Sequence, residues 1–284
     1  MKKVLITGAK GQLSKCIESS LVNFENVKAF FLSADDLDIT NYDKASEVFK
    51  DITPDFIINC AAYTAVDKAE SEKELAFMVN SEGVENLAKL CTVYKAKLVH
   101  ISTDFVFDGN SCVPYTEDSN TNPLSVYGKS KLRGEELIKK AKCDFYIFRT
   151  SWLYSEYGHN FLKTMLRLGT QKDQIKVVYD QVGSPTYAKD LAEFVLNFIV
   201  SDENFEYGIY HYSNEGVASW YDFAEAIFDE KNIEIHLEPI STEEYPTPAM
   251  RPNYSVMSKD KIKSVFNIKI NHWRQSLRKC LNNV

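Results

Sequence analysis

The chain has 284 residues, of which 44% are hydrophobic and 26% charged, a composition that excludes wholesale disorder, collagen and a coiled coil. Its formal net charge of −7 gives it no overall attraction to nucleic acid or to an anionic membrane surface. The apolar runs are too short for a membrane span or a signal peptide, and the six widely spaced cysteines predict reduced thiols in a cytoplasmic protein.

Up to residue 150, short apolar runs alternate with amphipathic helical patterns along the chain. Strands are predicted at 4–6, 27–32, 56–60, 97–102 and 145–148. Helices are predicted between them at 12–22, 42–50, 74–94 and 125–141. Repeated strand–helix units of this kind predict an α/β fold with a doubly wound parallel sheet, the Rossmann architecture.

The alternation becomes less regular after residue 150, where we place the boundary of the first domain. Helices are predicted at 160–168, 189–199, 219–228 and 272–281. Strands are predicted at 175–178, 207–212 and 233–237. Four prolines within residues 238–252 predict a loop there rather than regular structure.

A glycine-containing turn connects the first predicted strand to the first helix. Gly8 and Gly11 permit a tight turn and a close approach of the backbone to a diphosphate, and the helix N-terminus offers free N–H groups. Ser14 occupies the third small position, where glycine is usual. The position of the turn favours a dinucleotide site over an ordinary turn, although no acid or arginine ends the second strand to choose between NADH and NADPH.

Asp38 lies shortly after that second strand. Its carboxylate can accept a hydrogen bond from the adenine amino group, or it can be a turn residue before a helix. The two interpretations are equally compatible with the sequence.

Tyr127 and Lys131 are four residues apart on a predicted helix, so their side chains share one face. Thr103 follows the fourth strand, at the sheet edge where ligands of open α/β folds bind. A nearby ammonium is expected to lower the pKa of Tyr127 from its usual value of about 10, so that the phenol can exchange a proton with an alkoxide. Lys131 can also hold the nicotinamide ribose, and Thr103 can position the substrate oxygen. On pattern alone, such a pair is usually a half-buried aromatic beside a solvated charge. The preceding glycine turn, the Ser-Thr after the fourth strand and the four strand–helix units favour the catalytic interpretation here.

Together with segments 37–41, 59–70, 102–109, 123–135, 149–154, 180–186 and 250–252, these motifs resemble those of the extended short-chain dehydrogenases. Within that superfamily the chain resembles the dTDP-4-dehydrorhamnose reductase family over nearly its whole length. The resemblance implies reduction of the 4-keto group of dTDP-4-dehydro-L-rhamnose to dTDP-L-rhamnose with NADPH or NADH. It also implies that Thr103, Tyr127 and Lys131 form the catalytic set.

The resemblance extends to the binding residues. The predicted cofactor-binding residues are Gly8, Gly11, Gln12, Leu13, Asp38, Ile39, Ala62, Tyr63, Thr64, Ile101, Tyr127 and Lys131. The predicted substrate-binding residues are Thr103, Asp104, Trp152 and Arg251. Of these, Arg251 is expected to face the substrate diphosphate, since a guanidinium binds phosphate through two hydrogen bonds. No metal site is predicted, and the resemblance leaves a Mg²⁺ requirement and a homodimer open.

Three alternatives remain at this point. Phe105 stands where the family commonly has tyrosine, which admits another nucleotide-linked 4-keto-6-deoxy sugar as substrate. The second alternative is an epimerase or dehydratase of the same superfamily. Dehydratases typically carry an acidic pair where this chain has only Asp104. A non-catalytic regulatory subunit with the same fold is the third. For each of them we expect a dinucleotide-binding domain of residues 1–150 plus about 186–213, and a smaller, discontinuous α/β sugar-nucleotide-binding lobe of about 151–185 plus 214–284.

Overall fold

The computed structural model describes residues 1–201 and 203–284, which form a layered α/β fold. Its strands are β1 (Lys2–Thr7), β2 (Val27–Leu32), β3 (Phe56–Asn59), β4 (Lys97–Thr103), β5 (Phe145–Thr150), β6 (Leu153–Tyr154), β7 (Gln174–Val178), β8 (Val182–Gly183), β9 (Thr186–Tyr187), β10 (Gly208–His211), β11 (Ala218–Ser219) and β12 (His236–Ile240). Its helices are α1 (Gln12–Ser20), α2 (Tyr42–Ile52), α3 (Val66–Ala69), α4 (Lys73–Phe77), α5 (Gly83–Tyr94), α6 (Val126–Lys140), α7 (Phe161–Gly169), α8 (Ala188–Val200), α9 (Trp220–Lys231), α10 (Asp260–Phe266) and α11 (Trp273–Leu281).

Within the described residues, six strands form one sheet in the order β10-β5-β4-β3-β1-β2, and every neighbouring pair is parallel. The chain proceeds from β1 to β2 on one side, and then returns to β3 on the other side of β1. This change of direction opens a crevice at the carboxyl ends of the strands, where ligands of such sheets bind. The predicted doubly wound parallel sheet is therefore confirmed.

The sheet is buried on both faces because successive side chains of each strand point in opposite directions. Val4 and Ile6 of β1 pack in the core formed with α1 and α8. Leu5, between them, packs in the core on the other face, together with residues of α2, α5 and α6. All three side chains are fully buried, and burial of each contributes roughly 1.5–3 kcal/mol. Continuous apolar strands are what a sheet covered on both faces requires.

A third core lies in the second half of the chain, around Phe223 of α9, Leu162 of α7 and Leu277 of α11. Three small strand pairs accompany it: β6 with β9, β7 with β12, and β8 with β11. The strand β10 leaves this region and pairs with β5 in the central sheet.

Two predicted elements differ from the structure. The single helix predicted at 74–94 is interrupted by a π-helical turn, Met78–Glu82, between α4 and α5. The strand predicted at 233–237 lies at His236–Ile240 and contains Pro239, so the loop prediction is wrong for the first residues of 238–252. Proline is tolerated there because β12 pairs only with β7, which leaves one side without ladder hydrogen bonds. The helices α3 and α10 were not predicted.

None of the helices in the described part of the chain is both long and apolar enough to cross a membrane. All six cysteines, which lie within that part, are free thiols.

Candidate active site

The turn between β1 and α1 brings three backbone segments together at the crevice. Gly8 has φ +65°, and a Cβ atom there would lie 2.8 Å from the backbone nitrogen of Ala61. The Gly11 N–H donates to the Gly8 carbonyl at 2.8 Å, which closes the turn. Gly11 is also the N-cap of α1, and no side chain caps the N–H groups at this helix end. Free N–H groups at a helix start fit an anionic diphosphate, so this turn can hold a dinucleotide.

Ser14 preserves the close contact that glycine usually permits at this position. Its side chain is fully buried, and its hydroxyl donates to the Thr7 carbonyl at 3.2 Å. The hydrogen bond ties α1 to β1, so the departure from glycine does not open the fold.

The loop after β3, which contains Ala62, Tyr63 and Thr64, is held by Asn80. The Asn80 side chain accepts from Tyr63 N at 2.9 Å and donates to the Tyr63 carbonyl at 3.0 Å. It also donates to the Ser130 hydroxyl at 2.9 Å. Asn80 belongs to the π-helical turn, an irregularity that is frequent at functional sites. Through these hydrogen bonds, Asn80 links this loop to α6.

Asp38 and Ile39 follow β2 at the same edge of the sheet. Asp38 is exposed, and its Oδ1 accepts from the backbone and hydroxyl of Thr40 at 2.9 and 2.7 Å. Ile39 is buried and lies where a Cβ atom on Gly83 would clash with it. Asp38 thus makes the local turn contacts of the second interpretation, and its adenine contact stays a prediction.

Helix α6 begins close to the end of β4 and carries both Tyr127 and Lys131. Ser125 caps this helix by accepting the Gly128 N–H at 3.1 Å, and a Cβ atom on Gly128 would overlap the Phe105 carbonyl. The Lys131 Nζ donates to the Ile101 carbonyl at 2.7 Å. Burial lowers the pKa of Lys131 to about 8, while Glu135 acts in the opposite direction.

Tyr127 lies beside Thr103 and packs edge-on against Phe105, with ring centroids 5.7 Å apart. Burial raises the pKa of Tyr127 to about 12, and a hydrogen bond with Thr103 opposes only part of that rise. The expectation that Lys131 lowers this pKa is therefore wrong for the chain alone, because burial outweighs the other influences. At neutral pH Tyr127 is a protonated phenol, and a proton donor is what ketone reduction needs.

Asp104 is a buried carboxyl group directly after Thr103. Its Oδ1 accepts from the Thr103 hydroxyl at 3.1 Å, whereas Oδ2 has no hydrogen bond of normal geometry. Burial raises the pKa of Asp104 to about 6, although Ser255 and Thr103 lower it in part. An unsatisfied buried oxygen of this kind can accept a hydroxyl group of a sugar.

Trp152 is held in a strained position at the side of the crevice formed by the second half of the chain. Its φ is +46°, and it stacks on Trp220 with ring centroids 3.5 Å apart and an interplanar angle of 3°. Trp220 is itself fixed by donating to Gln181 at 3.2 Å. A Cβ atom on Gly183 would lie 2.7 Å from the Trp152 ring. The sequence placed Trp220 at a helix start, but carried no signal for this stacking.

Arg251 is paired with Asp67 rather than free. Its two terminal nitrogens donate to the two carboxylate oxygens of Asp67 at 3.1 and 2.8 Å. The guanidinium and the Ala249 N–H together hold the pKa of Asp67 below its usual range. The ion pair connects α3 with the proline-rich loop near the end of the chain.

The residues of the crevice fit a dinucleotide cofactor. The glycine turn offers the close backbone approach and free N–H groups that a diphosphate needs. In residues 1–201 and 203–284, no group of three or more histidine, cysteine or acidic side chains is arranged to hold a metal ion.

The sequence profile of the family described as RmlD substrate binding domain matches residues 1–284. The chain belongs to this family. This RmlD-family chain is 42% identical over 287 residues to the dTDP-4-dehydrorhamnose reductase of Aggregatibacter actinomycetemcomitans, covering 98% of each. It is also 42% identical over 283 residues to the spore coat polysaccharide biosynthesis protein SpsK of Bacillus subtilis, covering 99% of this chain and 97% of that protein.

A solved structure has the same fold as this RmlD-family chain. The dTDP-4-dehydrorhamnose reductase of Bacillus anthracis, in complex with NADP, is 41% identical and has a TM-score of 0.96. The match covers 100% of this chain and 99% of that one. The family resemblance inferred from the sequence motifs is confirmed.

Proposed function

We propose that this chain is an NADPH- or NADH-dependent reductase that converts dTDP-4-dehydro-L-rhamnose to dTDP-L-rhamnose, a step of nucleotide-sugar and cell-surface polysaccharide biosynthesis. The observation that carries the proposal is the meeting of Thr103, Tyr127 and Lys131 beside a glycine turn suited to a dinucleotide. Full-length relatives at 42% identity bear the name dTDP-4-dehydrorhamnose reductase or a role in polysaccharide biosynthesis, which supports this substrate and reaction.

In the proposed mechanism, Thr103, Tyr127 and Lys131 act at different points of the reaction. A cofactor whose diphosphate is bound at the glycine turn would supply, from its reduced nicotinamide, the hydride for C4 of the sugar. Thr103 orients the carbonyl oxygen, and Tyr127 donates its phenolic proton to the oxygen as negative charge develops there. Lys131 holds the ribose hydroxyls and returns a proton to the Tyr127 phenolate. The raised pKa of Tyr127 supports this direction of transfer, since the phenol enters the reaction protonated.

The cofactor is proposed to lie along the crevice from the glycine turn to α6. The residues that hold it are Gly8, Gly11, Gln12, Leu13, Asp38, Ile39, Ala62, Tyr63, Thr64, Ile101, Tyr127 and Lys131. The exposed Asp38 carboxylate is available to the adenine amino group, and the uncapped start of α1 is available to the diphosphate.

The sugar nucleotide is proposed to contact Thr103, Asp104, Trp152 and Arg251. The unsatisfied Oδ2 of Asp104 suits a sugar hydroxyl, and Trp152 offers an apolar face. Arg251 exchanges the Asp67 carboxylate for phosphate oxygens of the substrate, because both present two acceptors to the guanidinium fork.

The division of labour between the two parts of the chain follows from these contacts. Residues 1–150 plus about 186–213 are proposed to bind the dinucleotide, and about 151–185 plus 214–284 to bind the sugar nucleotide. The return of β10 to the central sheet supports this discontinuous boundary. We further propose that the enzyme acts in the cytoplasm without a nucleic-acid or membrane partner, and light scattering decides between a monomer and a homodimer.

The test is to incubate the purified chain with NADPH or NADH and a panel of nucleotide-linked 4-keto-6-deoxy sugars. Stoichiometric oxidation of the cofactor with dTDP-4-dehydro-L-rhamnose, and a product with the stereochemistry of dTDP-L-rhamnose, is expected. Faster turnover of another sugar would transfer the assignment to that substrate, the outcome that Phe105 leaves open. Conversion without net cofactor oxidation would identify an epimerase, and no turnover together with capture of an active enzyme would identify a regulatory subunit.

A further inference from the structure

A buried chain of hydrogen bonds runs beneath Lys131, across the central sheet. The Thr7 hydroxyl donates to Asn59 Oδ1 at 2.6 Å, and Asn59 Nδ2 lies 3.0 Å from His100 Nδ1. His100 Nε2 in turn lies 3.2 Å from Lys131 Nζ. Each of the four side chains is at most 2% exposed. This series of hydrogen bonds ends at the fully buried Thr7 and therefore offers protons no route to solvent. It supports Lys131 rather than conducting protons away.

The orientation of the Asn59 amide is fixed by its other neighbour. The backbone N–H of Ala61 is shared between Asn59 Oδ1 and the Thr7 hydroxyl oxygen, and it lies 3.2 Å from each of them. The opposite orientation would place an amide N–H group of Asn59 against this N–H, two donors facing each other. Asn59 therefore presents Oδ1 to Ala61 and Thr7, and donates from Nδ2 to His100.

This orientation selects one tautomer of His100. Burial and the nearby Lys131 hold the pKa of His100 well below its usual range, so the ring is neutral and carries a single N–H. With Nδ1 accepting from Asn59, the proton resides on Nε2 and is directed at Lys131 Nζ. An amine at Nζ can accept this hydrogen bond, whereas an ammonium cannot.

We propose that His100 is a positioning residue that prepares Lys131 to give up its proton, because the Nε2–H group of His100 is satisfied only by the amine form of Lys131. This inference rests on the proposed reductase function. After Tyr127 has donated its proton to the substrate oxygen, the Lys131 ammonium returns a proton to the phenolate. The resulting amine accepts from His100, and solvent protonates Lys131 again once product has left.

The other titratable groups facing Lys131 do not override the effect of His100. Glu135 on α6 favours the ammonium, but its carboxylate is held by Arg149 through hydrogen bonds of 3.0 and 2.7 Å. Cys60, after β3, is a neutral thiol because burial raises its pKa to about 12. Tyr127 on the same helix is a neutral phenol. His100 is thus the neighbour whose donor opposes the ammonium directly.

The tautomer can be read without any turnover. In protein containing isotope-labelled histidine, nitrogen NMR distinguishes a protonated from an unprotonated ring nitrogen. We expect His100 to show a protonated Nε2 and an unprotonated Nδ1, and to remain neutral from about pH 6 to about pH 9. Its signals are assigned by their loss in His100→Gln, or by their shift in Thr7→Val. A protonated Nδ1, or a ring that titrates in this range, overturns the proposal.

The consequence for catalysis is measured in the His100→Gln variant. A glutamine amide can turn its oxygen toward Lys131 and stabilise the ammonium, so the basic limb of the kcat/KM profile should move up by about one pH unit. We expect kcat to fall about tenfold, since proton return becomes slower. Thr7→Val, which loosens Asn59, should shift the limb in the same direction by a smaller amount. This second variant serves if His100→Gln does not fold.

The matched control is His211→Gln, which changes another fully buried histidine of the same sheet that lies beside Arg149 rather than Lys131. Its melting temperature reports the general cost of such a change, and its pH profile should match that of the unmodified chain. An unchanged profile in folded His100→Gln or Thr7→Val refutes the role of His100. If the unmodified chain oxidises no cofactor with any sugar, the proposed function fails, whereas the NMR result still decides the tautomer.

Discussion

At the residue scale, the protonation state of Tyr127 decides what the site can do. Replacing Tyr127 with phenylalanine removes the proton donor but keeps the ring that packs against Phe105. We expect kcat to fall by about two to four orders of magnitude, the usual contribution of general acid catalysis. Steady-state NADPH oxidation measures the change.

The control for that variant is Tyr94→Phe, which removes a hydroxyl on α5 whose hydrogen bond to the Ser46 carbonyl is long, at 3.5 Å. Its kcat should stay near that of the unmodified chain. Turnover of Tyr127→Phe near the same level would remove Tyr127 from the mechanism.

Asp104 predicts a pH dependence of stability. Its pKa is 3.8 in a solvated chain and about 6 when folded, so the folded state binds the extra proton and loses stability as pH rises through this window. Asp104→Asn removes that titration. The free energy of unfolding of the variant, relative to the unmodified chain, should therefore rise by on the order of 2 kcal/mol between about pH 4 and about pH 8. Denaturant titrations at both pH values measure it.

Asp108 provides a control of opposite sign. Hydrogen bonds from the Asn110 backbone and the Tyr115 hydroxyl hold the pKa of Asp108 below its usual range. Its contribution to stability is present above the unfolded pKa and is lost as pH falls. Asp108→Asn should therefore lose relative stability as pH rises, and the same trend in both variants would contradict the assignment.

Residue identities at the site could be predicted from the sequence, but their charges could not. The four-residue spacing placed Tyr127 and Lys131 on one face, as the structure has them. Their pKa values depend on how deeply α6 packs against β4. The contact of Lys131 with His100 depends on which strands become neighbours, which the local sequence does not show.

At the element scale, the contact between α6 and the π-helical turn positions the loop after β3. A Cβ atom on Gly134 would overlap the Asn80 carbonyl. Gly134→Ala should therefore push these elements apart and lower the free energy of unfolding by about 1–3 kcal/mol, despite the better helix propensity of alanine. Thermal unfolding measures the stability, and NADPH titration should show weaker binding because Asn80 holds Tyr63.

The matched control on the same helix is Lys139→Ala, at an exposed position. This change should alter the free energy of unfolding by no more than about 0.5 kcal/mol. Equal stability of Gly134→Ala and the unmodified chain would show that α6 and the π-helical turn can accommodate the added methyl group without loss of stability.

The regular elements were predictable where one pattern covered the whole element. The strand at 27–32 has the predicted bounds, because five of its six residues are apolar and only Lys28 interrupts the run. The π-helical turn was missed since one extra residue in a helical turn leaves the apolar pattern almost unchanged. Pro239 misled the prediction of β12, because its tolerance depends on having a partner on one side only.

At the scale of the whole molecule, the Arg251–Asp67 pair joins the proline-rich loop to α3, which is far away in sequence. The side chains are 24% and 41% exposed, so the pair contributes at most about 1 kcal/mol to stability. Arg251→Ala should leave the melting temperature nearly unchanged and raise the KM for the sugar nucleotide about tenfold, the effect of losing one charged hydrogen-bonding group. Steady-state kinetics with saturating NADPH measures KM.

The partner variant separates the two roles of this arginine. Asp67→Asn weakens the ion pair but keeps the guanidinium for phosphate. The KM of Asp67→Asn for the sugar nucleotide should be unchanged or lower. An equal rise of KM in Asp67→Asn and Arg251→Ala would show that substrate binding depends on the ion pair rather than on contact of Arg251 with the diphosphate.

The stacked indoles of Trp152 and Trp220 give the molecule an optical reporter of its own. Two indoles lying parallel at 3.5 Å share their electronic transitions, so their near-ultraviolet circular dichroism is a coupled signal that neither ring produces alone. A ligand that slides against Trp152, or a loosening of the start of α9, would uncouple the pair. Spectroscopy without any added label can therefore follow events on this side of the crevice.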